Sequence, residues 1–226
     1  MQITYPDKAQ SIISMYSDLS TWDKLTIMSR VVFCMNPIVE FIDEYMPETG
    51  LILDIGCGYG VFSVIISQLR PEISVLGVDM SSRRIQKARS IRKHMGNMIF
   101  LQDDITNFSF PECSGILLID ILSMLDIHQQ LNILDRCYKG LESGGILLIR
   151  DNSKSPYWKY LYAYIEEILK TKIGVYGKEV RKHASKYWNI KEFLKVLNKA
   201  GFQAKAIPEK SYLPYPGVIY VCQKKT

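Results

Sequence analysis

Short apolar runs separated by amphipathic stretches fill the middle of the chain. The runs Leu51–Ile55, Ile73–Asp79, Asn97–Gln102, Gly115–Asp120 and Gly144–Arg150 are rich in Val, Ile and Leu and alternate little with polar residues. Runs of that length without a polar face predict parallel strands buried on both sides. Between them, Val61–Leu69 predicts a helix that Pro71 closes, and Arg83–Met95 a helix that Ser81 or Ser82 caps and Gly96 ends. His128–Gly140 is amphipathic, with Leu131, Leu134 and Tyr138 assigned to one face. Ahead of the first run, Trp22–Tyr45 predicts one or two helices. After the fifth come an aromatic helix over Tyr157–Lys170, a loop over Ile173–Lys186, and a helix over Ile190–Ala200 stopped by Gly201. Phe202–Ile207 and Val218–Gln223 predict two closing strands. Alternating strands and helices with short links predict an α/β fold, a parallel sheet with right-handed crossovers.

Composition narrows the class. The chain has 226 residues, 47% hydrophobic and 23% charged, which suits one globular domain and excludes a disordered or low-complexity chain. No apolar run is long enough to predict a transmembrane helix, and the start MQITYPDKAQ carries an acid and lacks the apolar core of a signal peptide. Five scattered cysteines form no CxxC pair, so neither a zinc site nor a disulfide framework is expected and a reducing cytoplasm fits. Charge is uneven. Residues 1–149 carry a net −5 and residues 150–226 a net +10, and the basic part holds 13 of the 25 aromatic residues. That division predicts a scaffold followed by an acceptor-facing or partner-facing part.

The chemistry lies in Asp54-Ile55-Gly56-Cys57-Gly58-Tyr59-Gly60, an acid at a strand end followed by three alternating glycines. Glycine lets the chain turn sharply and lets a ligand approach the backbone, and the next helix offers free N–H groups. A dinucleotide fingerprint would need its third glycine at Val61, and no Gly-Lys-Ser/Thr follows to make a phosphate loop. Asp79 ends the second strand, where a carboxylate can accept two ribose hydroxyls. That position suits a ribose in general, NAD included.

The DxGxGxG pattern resembles the first motif of class I S-adenosylmethionine-dependent methyltransferases. Four further stretches resemble that family in order: Gly77-Val78-Asp79, Gln102-Asp103-Asp104-Ile105, Asp120-Ile121-Leu122-Ser123-Met124-Leu125, and Leu141-Glu142-Ser143-Gly144-Gly145-Ile146-Leu147. Trp188, Phe193-Leu194, Leu197 and Ala200-Gly201-Phe202 resemble the family's segment before the sixth strand. The resemblance implies a Rossmann-like doubly wound sheet of seven strands in order 3-2-1-4-5-7-6, the last antiparallel. N-terminal helices and a helical insertion after strand five would flank it. It further implies one domain with a cover over 1–46, a cofactor core over 50–150, an acceptor-side cap over 151–189, and a closing helix and strands over 190–226.

By the same resemblance, S-adenosylmethionine would be held by Asp54, Gly56, Cys57, Gly58, Gly60, Asp79, Met80, Asp103, Asp104, Ile105 and Asp120. Asp54 is read chiefly as a holder of the turn. Asp104 with Ile105 is preferred for the adenine, with Asp103 as the alternative. Arg30 is a candidate partner for the donor carboxylate, or else a solvated or structural arginine. His183 is a solvated loop residue or a general base over the acceptor. Asp120 is not followed by the Pro-Pro-aromatic run of the DNA-adenine type. No metal-ligand cluster stands out, although Asp120 and Asp151 leave a weak Mg²⁺ site open.

The C-terminal part is similar to methyltransferases of aryl-polyene, lipid and polyketide pathways. The expected acceptor is therefore an aromatic or lipid-like small molecule methylated on oxygen, in a monomer or homodimer. Nucleic acid is not an expected partner, and peripheral membrane contact is open through the aromatic helix. The alternatives are an RNA or protein methyltransferase docking through the basic segment, a non-catalytic adenosyl-binding module, and, more remotely, a dehydrogenase.

Overall fold

The computed structural model describes residues 14–16, 21, 24, 27, 35–91, 96–173, 186–209 and 214–225. Seven strands form one sheet in the order 3-2-1-4-5-7-6, the order that the sequence motifs imply. The chain divides into two compact units, Met1–Ile105 and Thr106–Thr226.

In the first unit, helix α1 (Met35–Tyr45) leads into β1 (Gly50–Ile55), α2 (Val61–Leu69), β2 (Ile73–Asp79), α3 (Ser82–Ile91) and β3 (Met98–Gln102). The three strands pair in parallel, β2 in the middle. Helix α2 is buried from Val61 through Ser67. A helix buried all round has no solvent face for polar side chains, so its two serines must find partners inside. Ser63 donates to the Asp54 carboxylate at 2.6 Å, and Ser67 pairs with Asn97. Helix α3 begins where expected: the Ser81 carbonyl accepts from the Ile85 amide at 3.0 Å. It is described as helix to Ile91, and residues 92–95, with His94, lie outside the described residues.

The second unit runs β4 (Cys113–Ile119), a 3₁₀ turn (Leu122–Met124), α4 (Ile127–Gly140), β5 (Leu141–Asn152), α5 (Tyr157–Ile173), α6 (Ile190–Lys199), β6 (Phe202–Pro208) and β7 (Gly217–Lys224). β4 and β5 are parallel, and β7 is antiparallel to both β5 and β6. Every residue of β4 is buried, as a central strand requires.

Helix α4 corrects one expectation. Its inward face is Gln130, Ile133, Leu134 and Cys137, whereas Leu131 is 43% exposed. The actual set follows the i, i+3, i+4, i+7 spacing of a helix face, and Leu131 falls off it. The start also differs from the expected His128. Asp126 is the N-cap, accepting from the Gln129 amide at 2.9 Å, while the Gln129 side chain accepts from the Asp126 amide at 3.0 Å. Helix α6 keeps the expected start and turns Phe193 and Leu197 inward.

Candidate functional site

In the first unit the site is built at the carboxyl ends of β1 and β2. The chain leaves β1 and folds back on β2: the Gly56 and Cys57 amides donate to the Val78 carbonyl at 2.7 and 3.1 Å, and the Gly60 amide to Cys57 at 2.9 Å. Gly56, Gly58 and Gly60 have φ of 73°, 57° and 78°, left-handed values that side chains with a Cβ resist. The alternating glycines are thus a requirement of the turn itself.

Asp79 joins this loop to the next helix. One carboxylate oxygen accepts from the Gly58 amide at 2.9 Å, and the other from the Ser81 amide at 2.8 Å. A carboxylate oxygen accepts more than one hydrogen bond, so the group keeps acceptor capacity for a diol. Asp54 is buried and accepts from the Ser63 hydroxyl of α2 at 2.6 Å, which ties the end of β1 to that helix.

Beside Asp79, Met80 is 48% exposed, an open apolar side chain next to the buried acid. After β3, the Asp103 amide donates to the Asp79 carbonyl at 3.2 Å, and its side chain accepts from the Asp104 amide at 2.7 Å. Asp103 and Asp104 are exposed and Ile105 is half-buried. An open acid-lined edge beside a glycine loop fits the ribose and adenine of an adenosyl group. Arg30 and His183 lie outside the described residues.

Three contributors to this cradle escaped the sequence reading. Tyr16 is 2% exposed and donates its hydroxyl to the Tyr59 carbonyl at 3.1 Å. Burial, with Cys57 and Asp54 nearby, raises its pKa, so it stays a donor. Ser63 could have been suspected as a polar residue in an otherwise apolar helix. Phe100 is the third. Its ring lies where a Cβ on Gly60 would sit 2.7 Å away and one on Gly77 2.6 Å away. Gly77 is therefore required by space, as Gly60 is by both space and backbone angle.

The second unit gathers polar groups at the ends of β4 and β5. Asp120 leaves β4 with φ 56°, rare for a residue with a Cβ, and its carboxylate pairs with the buried Arg150. Arg150 also binds Glu209 in a bidentate pair, Nε to Oε1 at 3.0 Å and Nη2 to Oε2 at 2.9 Å. Asp120 is therefore ion-paired within its own unit through one of its carboxylate oxygens.

Asp151 is buried and accepts from the Ser123 amide at 2.9 Å and the Asn152 amide at 2.7 Å. Burial, reinforced by the charge of Asp120, outweighs these bonds and lifts its pKa from 3.8 to about 6. The two acids weighed for Mg²⁺ are thus held by Arg150 and by backbone amides. Among the described residues no cluster of three His, Cys, Asp or Glu side chains could hold a metal. Asp151 and Asn152 border a small recess of about 10 Å³, room for about one water molecule, with Trp188, Phe193 and Tyr220 among its walls. Asn152 Oδ1 is buried there without a hydrogen-bond partner. Two polar residues, Arg150 and Asp151, closing an apolar strand were the available signal for this cluster.

Residues 49–201 match a sequence family described as a methyltransferase domain, more than half of the chain. The chain belongs to that methyltransferase family. It is an enzyme by that membership. It is 26% identical over 203 residues to the carboxy-S-adenosyl-L-methionine synthase of Campylobacter jejuni, covering 86% of this chain and 85% of that one. A solved S-adenosylmethionine-dependent methyltransferase from Methanosarcina mazei superposes with a TM-score of 0.63 at 20% identity, over 82% of this chain and 97% of its own. The magnesium protoporphyrin IX methyltransferase of Synechocystis, solved with S-adenosylhomocysteine, gives 0.65 at 15% identity, over 98% and 95%. These likenesses establish the Rossmann-like methyltransferase fold.

Proposed function

We propose that this methyltransferase moves the methyl group of S-adenosylmethionine onto an oxygen of an aromatic or lipid-like small molecule. S-adenosylmethionine is its cofactor, and when bound it supplies a methyl group already activated on a sulfonium. Asp79 would hold the ribose hydroxyls, the glycine loop would let the ligand approach the backbone, and Met80 with Ile105 would flank the adenine. Displacement at an activated methyl needs alignment and exclusion of water more than elaborate chemistry.

The observation that carries this reading is the glycine loop with the Asp79 carboxylate at its edge, placed to accept a ribose diol. The test is methyl-labelled S-adenosylmethionine against a panel of phenols, catechols and hydroxylated fatty acids. Labelled ether products support the reading, and label that never leaves the bound donor overturns it.

A second reading is favoured by the relatives named carboxy-S-adenosyl-L-methionine synthase, which match over most of this chain. On that reading the adenosyl compound is itself the molecule modified. Mass spectrometry of the ligand released from purified protein separates the two: a carboxylated ligand sinks the ether-forming reading. The compartment proposed is a reducing cytoplasm, in keeping with Cys57, Cys113, Cys137 and Cys222 as free buried thiols. Among the described residues no helix is long and apolar enough to cross a membrane.

A further inference from the structure

Helix α5 has two unlike sides. On one, Ala163 is buried and the Tyr160 ring meets Tyr187 edge-on at 5.9 Å. On the other, Tyr157, Trp158, Leu161, Tyr162, Ile165 and Leu169 are all between 42% and 69% exposed. At about 100° per residue these six fall within an arc of roughly 140°, a single apolar face. Soluble monomers rarely leave so much contiguous apolar surface uncovered, and such surfaces mark interaction sites.

The chemistry of the face and its charge select the partner. Three of the six residues are Tyr or Trp, side chains whose rings settle at the boundary between hydrocarbon and water. Lys159 Nζ lies 5.5 Å from the centre of the Trp158 ring, at the margin of the face. Residues 157–186 carry a net +4 and residues 150–226 a net +10. Two copies meeting through α5 would bring like charges together, which opposes self-association. An anionic surface is attracted by the same charge.

We infer that the outer face of α5 docks this protein on an anionic lipid surface, lying in the interface plane without crossing it. The apolar arc enters the headgroup boundary, and Lys159 at its margin meets lipid phosphates. The inference holds whether or not the methylated acceptor is itself a lipid.

The test is cosedimentation of the full chain with vesicles of phosphatidylcholine alone and of phosphatidylcholine with phosphatidylglycerol. Binding to the anionic vesicles is expected, weakened about tenfold or more by the double substitution Trp158→Glu with Leu161→Glu, and weakened by raised salt. The variant's thermal shift with S-adenosylmethionine should equal that of the parent, because the residues proposed to hold it all belong to the first unit and α5 to the second. That readout separates lost docking from lost folding. No binding to anionic vesicles overturns the inference. So does equal binding by the double variant, or a dimer in sedimentation that the double variant dissolves.

Discussion

Asp79 accepts one hydrogen bond from the glycine loop and one from the start of α3, so a single carboxylate sets the spacing between them. Replacing it with alanine removes two charge-assisted bonds along with the proposed contact to the ribose. Asp79→Ala should weaken S-adenosylmethionine and S-adenosylhomocysteine by about 10- to 100-fold in calorimetry. Asp151 makes a pH prediction. Its pKa is raised in the folded chain, to about 6, so the native state favours the protonated acid. Stability from this group is complete below the unfolded value near 3.8 and is lost as pH climbs through about 6. Between pH 4 and pH 8 the loss should be about 2 kcal/mol in urea unfolding, and the Asp151→Asn variant should lack that slope. Asp79 stands out in the sequence because it ends a short apolar strand shortly after the glycine loop. Asp151 does not, since its character comes from burial and from Asp120, which sequence spacing does not show.

Arg150 is the point where three pieces of the second unit meet: the end of β5, the turn after β4 through Asp120, and the residue after β6 through Glu209. Removing the cation would leave buried Glu209 without its partner. Arg150→Met should lower unfolding stability by about 3–5 kcal/mol. Changing Glu209 to Gln in the same chain should recover part of that loss, read from the two denaturation midpoints. Strands and helices themselves were legible in the sequence. Val61–Leu69 and Ile73–Asp79 form over the residues their apolar runs mark, because those runs have one stable solution when buried on both sides. The face of α4 was misassigned because Leu131, Leu134 and Tyr138 satisfy a helical spacing nearly as well as the true set. Polar Gln130 was passed over although its side chain is buried against the Leu125 carbonyl at 3.0 Å and the Trp188 indole at 2.5 Å.

A ligand that binds only the folded chain stabilises the whole molecule by mass action. At about a hundred times its dissociation constant the gain is about 2.7 kcal/mol, which for a chain of this length raises the midpoint by roughly 5–10 °C. S-adenosylmethionine and S-adenosylhomocysteine should both produce that shift in a thermal melt, and NADH should produce none. The strand order was legible at this scale because five motifs in sequence imply one topology. The charge division was legible too, but its use was not. A net charge says which surfaces attract, whereas the exposed face of α5 became visible only once the helix had a buried side to contrast with it.

The ring of Phe100 makes the histories of two glycines unequal. Gly77 is confined by crowding alone, from the Phe100 ring at 2.6 Å and the Cys57 sulfur at 2.9 Å, so smaller residues at both positions would be the permissive change after which alanine at 77 could be accepted. Gly60 meets the same ring but also sits at φ 78°, and no change at position 100 relaxes that angle. Drift at the two sites should therefore depend on order: positions 100 and 57 first, then 77, with 60 held throughout.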